Sequence, residues 1–441
     1  MKNDNGWLER NWSWTKYLYP ALIGVIIFAR NSTPYTTPGF WAEDSVHFFG
    51  ESLELGVSAL RSPVYGYHFF LGRLVAFVAT FFPVYYTPLF FSWSCLIVAV
   101  VACYYFARSG FEWIVKNRAY RIWAGFLMSF GPGTGDLFAS LCNMSSALTL
   151  LAFLILLEKP FTMSMRKILV LGFLAFSAGQ IFLLTPLVIY LWYLTCEKNY
   201  LILLGFVFLP VTLINFSGNH EVGTRVGLLN YENIKIIPII LLENFFIRLV
   251  EVPFLGARVT GWIMSQSNLI FWLTGIALLI PAHWLIRASK IEKQKLKILF
   301  LGFLVMLSSY GVIAIARKYA LSQITRGSGD SQWSLRYSFL PAISVFVLWF
   351  AVLTEWQSEL KTKFKKVVPL ILIIMTVHSL FYWRARWWRR PINWTQASAQ
   401  IQKALDAKRS GQLKDAVVIQ NIELFPEYWN QGVFLVRIRP N

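Results

Sequence analysis

The sequence predicts an all-α, polytopic membrane protein with about eleven transmembrane helices, interfacial helices and a small C-terminal α+β appendage. Three observations predict it. The 441 residues are 56% hydrophobic, 17% aromatic and only 14% charged, and mean hydropathy is +0.52. A soluble domain has too little interior to hide that much apolar surface. Apolar runs near the length of one span recur along most of the chain. The basic residues, 41 Lys plus Arg against 22 Asp plus Glu, gather in short loops between those runs. Such loops mark the cytoplasmic side and meet anionic headgroups. Bases scattered over many loops are a poor nucleic-acid footprint, so no nucleic-acid partner is expected.

The first run begins after a long polar and aromatic lead without a small-residue cleavage site, so 17–31 is read as an uncleaved span. Further spans are expected over 87–107, 119–134, 137–157, 200–216, 268–287, 296–316, 335–354 and 367–383. Residues 167–196 are too long for one upright helix, and Gly179-Gln180 offers a turn between two short ones. Residues 63–86 carry His68 and Arg73 among aromatics and are expected to lie at the outer interface or re-enter. Four basic loops arbitrate: Arg108 to Arg121, Lys159 to Lys167, Arg287 to Lys297, and Lys361 to Lys366. With 167–196 crossing twice and 63–86 not crossing, all four fall in the cytoplasm together with the N-terminus. The outer segments become 32–86, 131–136, 217–266, 317–334 and 384–441. "RARWWRR" at 384–390 then lies outside, against the rule. The chain divides into a membrane body, 1–383, and an outer α+β segment, 384–441, with one helical stretch and two strand-like ones. The four cysteines have no metal spacing and are expected as packing residues.

The chemistry-bearing residues fall on the outer side. Glu43 and Asp44 stand in "FWAEDSVHFF" between Trp41 and Phe48-Phe49, residues that suit an interface. Asp136 ends the glycine-rich outer turn "GPGTGD", which lacks the Lys-Ser/Thr of a phosphate loop. Cations face the same side: His68, Arg73, His220, Arg225, Arg317, Lys318, Arg326 and Arg336, the last followed by Tyr337. Each could be a headgroup contact; together with the carboxylates they describe an acid/base pocket with phosphate-binding groups. There is no dinucleotide loop, HExxH, zinc spacing or GxSxG. An enzyme on that face has no ATP, so its activated substrate must arrive through the lipid.

"FWAEDSVHFF" followed by "SPVYGYHFFLGRLVAF", then "DLFASLCNMSSAL" and "LRYSFLP", resembles the GT-C class of integral-membrane glycosyltransferases, in particular bacterial members with a W-A-E-D-G loop. Ser45 stands where that loop has Gly. The resemblance implies transfer of a sugar from a polyprenyl-phosphate donor to a cell-envelope glycan or lipid acceptor. It implies inversion, on the periplasmic side of a bacterial inner membrane. By motif position Asp44 is the general base. Glu43 supports it, or binds a divalent cation in subfamilies that use one; no other cofactor is implied. Substrate-binding roles fall to Asp136, Asn143, Tyr67, His68, Arg73, His220, Arg326, Arg336 and Tyr337. The chemistry is consistent with this. A positioned carboxylate can take the proton of an acceptor hydroxyl, and cations can stabilise the departing lipid phosphate. Adjacent side chains such as Glu43 and Asp44 point apart in an extended segment, which disfavours a retaining carboxylate pair. Tyr65, Tyr67, Phe69 and Phe70 are expected to line a groove for the lipid chain. Two other readings stay open: a transporter or flippase for a lipid-linked glycan, and an O-antigen polymerase or ligase built on the arginines of 317–336.

Overall fold

A computed structural model describes residues 12–40, 44–64, 67–130, 137–217, 257–316, 339–361, 364–382, 394–423 and 433–438, with isolated positions 238, 242, 245, 246 and 440. Among these the protein is mostly helical. At its centre is the helix Met144–Leu157, in which every residue except Leu151 is buried. Its sequence, MSSALTLLAFLILL, has no polar stripe wider than its serines, and a helix apolar all round must be covered all round. The cover comes from helices Thr87–Tyr105, Met165–Ser177 and Phe339–Glu359 and from the 3-10 segment Gly179–Leu184.

Local chemistry sets the ends of these helices. Asn117, Ser164 and Ser267 each accept the backbone N–H two or three residues on, capping the helices that follow. Pro88 and Pro186 sit in first turns, where no N–H is needed. Close approach also shapes the body. A Cβ on Gly125 would overlap the Tyr19 hydroxyl and the Cys103 carbonyl. Helices Trp12–Arg30, Thr87–Tyr105 and Arg118–Ser129 therefore meet at a point where only glycine fits, and Tyr19 Oη donates to the Ile122 carbonyl there at 2.8 Å. Gly125→Leu is expected to lower stability by about 2–3 kcal/mol, read as an earlier thermal unfolding of the purified protein. An unchanged transition would show that the three helices yield.

Three helices among the described residues are long and apolar enough to cross a membrane: Val84–Tyr105, Leu269–Ala288 and Phe339–Glu359. The expectation of about eleven is not met. Several expected spans are shorter as helices than as apolar runs. The run 137–157 is helical in one piece only from Met144. The run 167–196 breaks into Met165–Ser177, a 3-10 turn and Thr185–Thr195, near the expected Gly179-Gln180 turn. Within 63–86 the helix Phe70–Ala79 has 10 residues, about 15 Å, half the depth of a hydrocarbon core.

Ion pairs gather the first three basic loops at one end of the body, on acids that include two from the end of helix Phe339–Glu359, which the fourth loop follows. Glu158 meets Arg108 at 3.2 Å and Lys167 at 3.6 Å. Glu355 meets Lys295 at 2.9 Å and Lys116 at 3.7 Å, and Glu359 meets Lys290 at 2.5 Å. The central helix gives the distance from this end to the other. Glu158 follows its last residue and Asp44 binds just before its first. Its 14 residues separate them by about 21 Å. Asp44 and the basic loops therefore lie at opposite ends.

The expected C-terminal helix and strands are present as Trp394–Arg409 and an antiparallel pair, Val417–Glu423 with Val433–Ile438. They pack on the body. Trp394 Nε1 donates to the Tyr85 carbonyl at 3.0 Å, and Gln402 Oε1 accepts from Val84 N at 3.1 Å. Trp394 also sets its edge against Phe40, at 5.0 Å between ring centres. The four cysteines are free thiols.

Candidate functional site

The acidic stretch becomes a π-helical turn, Asp44–Gly50, continued by the short helix Glu51–Leu55. π turns are uncommon and cluster at functional sites. Phe48 and Phe49 are fully buried and fix the turn. Phe49 stacks on Phe40 at 4.8 Å, and Phe48 meets Phe69 edge-on at 5.8 Å.

Asp44 is 2% exposed. Its Oδ1 accepts from Ser140 Oγ at 3.1 Å and Cys142 N at 3.0 Å, and its Oδ2 accepts from Leu141 N at 2.9 Å. An ionised carboxylate is a strong acceptor for backbone N–H groups just before a helix, where the dipole also favours negative charge. The strip it holds is fastened from other sides too. Tyr35 Oη donates to the Phe138 carbonyl at 2.8 Å, and Ser92 Oγ to the Ala139 carbonyl at 3.1 Å. The seven residues that hydropathy assigned to a span, 137–143, thus form a rigid ledge at the head of the central helix. Asn143, expected to bind substrate, ends that ledge. Its Nδ2 is buried with no hydrogen-bond partner among the described residues, and such an atom calls for a partner.

Arg73, expected near a phosphate, is fully buried and engaged internally. Its Nη2 donates to Glu51 Oε2 at 2.7 Å, its Nε to the Ser62 carbonyl at 3.1 Å, and its Nη1 to the His47 carbonyl. The guanidinium lies 5.3 Å from the Phe48 ring centre. Arginine suits this task because its planar fork serves several acceptors at once. Glu51 also accepts from His47 Nδ1 at 3.0 Å. A His–Glu–Arg cluster therefore backs the turn that begins with Asp44. Neither His47 nor Glu51 was among the expected site residues, although their separation by four residues was a readable signal.

Burial alone raises the Glu51 carboxyl, but the His47 hydrogen bond and the Arg73 charge outweigh it and hold the group below the usual 4.5. A carboxyl depressed by folding contributes stability at neutral pH, and that contribution is lost as pH falls through its folded value. The stability gap between wild type and Glu51→Gln is therefore expected to be constant above about pH 5. It should shrink only below 4.5, as read by unfolding titrations from pH 7 to pH 3. A gap that is the same at pH 3 would show that the ion pairs do not govern Glu51. Burial, and then the Arg73 charge, hold the His68 imidazole below its usual value, so it is neutral at pH 7.

Tyr67, Phe69 and Phe70 pack against the body, whereas Phe81, Phe82 and Tyr86 of the same stretch are exposed. A Cβ on Gly179 would overlap the Tyr67 ring, Phe69 is 8% exposed, and Phe70 meets Phe173 edge-on at 6.0 Å. An apolar cavity of about 430 Å³ lies elsewhere, between helices Trp12–Arg30 and Arg118–Ser129, lined by Ile26, Trp123, Phe126 and Phe130 among others. Glu43, Tyr65, Asp136, His220, Arg326, Arg336 and Tyr337 lie outside the described residues. Among the described residues no three His, Cys, Asp or Glu side chains gather as a metal site.

The chain matches no protein-family model, no curated protein and no solved structure.

Proposed function

We propose that the protein is an integral-membrane glycosyltransferase of GT-C type. It takes a sugar from a polyprenyl-phosphate donor and passes it, with inversion, to a cell-envelope glycan or lipid acceptor. The reaction runs on the extracytoplasmic face of a bacterial inner membrane, at the Asp44 turn. The observation that carries the reading is the clamp of Asp44 on residues 140–142 at the end of the body opposite the basic loops. By the positive-inside rule the basic end is cytoplasmic, which leaves the turn outside. There a lipid-borne donor and a water-soluble acceptor can meet.

The parts have separate tasks in this reading. The clamp holds the first outer segment and the head of the central helix in one fixed relation, which is what positioning two substrates demands. Asn143 Nδ2 donates to a sugar or acceptor oxygen. His68, neutral at pH 7, serves as a hydrogen-bonding group. Charge on the departing phosphate falls to cations of the outer loops: His220, Arg326 and Arg336, with Tyr337 beside them. Asp136 is the second acid, and Glu43 either supports the turn or holds a divalent cation.

The test compares envelope glycans of cells with and without the protein by mass spectrometry. A hexose that disappears from one glycan or lipid, and returns with the wild-type chain, supports the reading. Unchanged glycans, together with movement of a lipid-linked glycan across proteoliposomes made with the protein, would make it a transporter.

A further inference from the structure

We infer that Gln180 and Asn143 together grip one hydroxyl of the transferred hexose, and so decide which sugar the protein accepts. The inference rests on the glycosyltransferase reading and goes beyond it in naming Gln180 and the group that it reads.

The sequence marks Gln180 only as part of a turn between two short helices. In the structure it is the second residue of the 3-10 segment Gly179–Leu184. Its Oε1 is buried and accepts no hydrogen bond among the described residues, just as Asn143 Nδ2 donates none. Buried polar atoms are seldom left so, because each costs free energy while it lacks a partner. Two hydroxyls share this condition, Ser52 Oγ and Thr87 Oγ1, but those residues are 2% and 1% exposed and sealed from a ligand. Asn143 and Gln180 are only half-buried. The last torsion of an Asn or Gln side chain is soft, so either amide can turn to meet a ligand. Asn143 also stands where an asparagine ordinarily caps a helix. Its backbone is already helical, at φ −84° and ψ −13°, and its side chain makes no capping bond. The amide is left for another task.

The fold brings the two residues to one level and one neighbourhood. Helix Met165–Ser177 rises from the basic end, where Lys167 meets Glu158 at 3.6 Å. Its 13 residues climb about 20 Å, and the central helix climbs about 21 Å from the same Glu158 to Asn143. The segment that carries Gln180 packs against the central helix. On its other side it meets the stretch of Tyr67 and His68. The Tyr67 ring lies against Gly179, and Ser177 Oγ accepts from Leu71 N at 3.2 Å. Helix Phe70–Ala79 in turn packs against the Asp44 turn, which is clamped to the head of the central helix. These elements close a ring, and Gln180 and Asn143 stand on two adjacent members of it.

The chemistry of the pair selects the ligand. Asn143 Nδ2 is a donor and Gln180 Oε1 an acceptor, and both groups are neutral. The phosphate of a phosphodiester has no hydrogen to give a carbonyl. A hydroxyl meets both at once, accepting from the N–H and donating to the carbonyl. Held from two sides, it is fixed in direction. An epimer with that hydroxyl turned away leaves both amides unpaired, and sites built in this way discriminate strongly.

The test uses the full-length chain in membranes with envelope extract as acceptor. The donor is whichever of polyprenyl-phosphate glucose, galactose or mannose the wild type transfers best, together with its 2-, 3-, 4- and 6-deoxy forms. Wild type is expected to lose ~10- to 100-fold in kcat/KM with one of the deoxy donors. Gln180→Met keeps the length of the side chain and removes the acceptor. It is expected to lose a similar factor with the full sugar and nothing further with that deoxy donor, the coupling expected of groups in contact. Asn143→Ala should show the same insensitivity to the same deoxy donor. Since methionine leaves no carbonyl unpaired, Gln180→Met without substrate is expected to unfold at the wild-type temperature or above. Gln180→Leu makes the same replacement should the methionine form not fold. A residue that only shaped the backbone would slow every donor alike. A folded Gln180 variant with the wild-type rate, or with an equal loss on every donor, overturns the inference and leaves the function standing. So does coupling of the two residues to different hydroxyls. A wild-type chain that transfers none of the sugars overturns both.

Discussion

Replacing Asp44 with Ala is expected to destabilise the protein by about 3–5 kcal/mol, the range for stripping the ionised partner from buried hydrogen-bond donors. Ser140 Oγ and the Leu141 and Cys142 N–H groups would be left facing an apolar hole. The helix head they belong to is the centre of the body. Asp44→Asn is not a silent substitute. Its amide oxygen can replace Oδ1 between Ser140 and Cys142, but its NH₂ then faces the Leu141 N–H, donor against donor. Asn should therefore cost about 1–3 kcal/mol, and the order of stability should be wild type, Asn, Ala. Unfolding of the three purified proteins in the same detergent reads it directly. An Ala variant as stable as wild type would mean that 137–143 holds its shape without the carboxylate.

The second large effect is expected at Arg73. Arg73→Met keeps the length of the side chain and removes its donors. Glu51 then loses its nearest positive charge, the Ser62 and His47 carbonyls lose a donor, and Phe48 loses the cation beside its ring. The expected cost is again about 3–5 kcal/mol. Lysine should recover little of it, because one ammonium cannot reach the three separated acceptors that the fork serves. Two observations would accompany the loss. Glu51 would return toward an ordinary carboxyl titration, and the segment from Asp44 to Arg61 would become sensitive to proteolysis. Full stability of Arg73→Lys would contradict the fork argument.

Much of this architecture is legible in the sequence, and the parts that are not have physical reasons. Loop charge pointed to Arg108, Lys167 and Lys295 as lying at one end of the body, and the acids that join their loops, Glu158 and Glu355, are among the few in the body. Hydropathy marks more runs than the described residues carry as long unbroken helices, because it weighs residues and is blind to backbone breaks. Leu137, Phe138 and Leu141 are as apolar as Leu148, yet they belong to a ledge held by side chains from Tyr35, Ser92 and Asp44. Asp44 itself stood out because an acid beside Trp41 and Phe48 is costly unless it has a task. Its partners could not be read, since two of them are backbone N–H groups that any residue carries. Arg73 was legible as an important cation but not in its role, because two of its acceptors are carbonyls of His47 and Ser62. His47 and Glu51 carried a signal at helical spacing that the neighbouring Glu43-Asp44 pair overshadowed.

The central claim is that the Asp44 turn supports sugar transfer from a lipid phosphate. The most direct measurement is release of free polyprenyl phosphate by the purified wild-type chain, reconstituted in proteoliposomes with polyprenyl-phosphate hexoses and envelope acceptor. The account predicts release that requires the acceptor, matches the glycosidic product mole for mole, and falls in a folded Asn143→Ala variant. No release from any of the donors by a folded wild-type chain, or an unchanged rate in the folded Asn143→Ala variant, would contradict it.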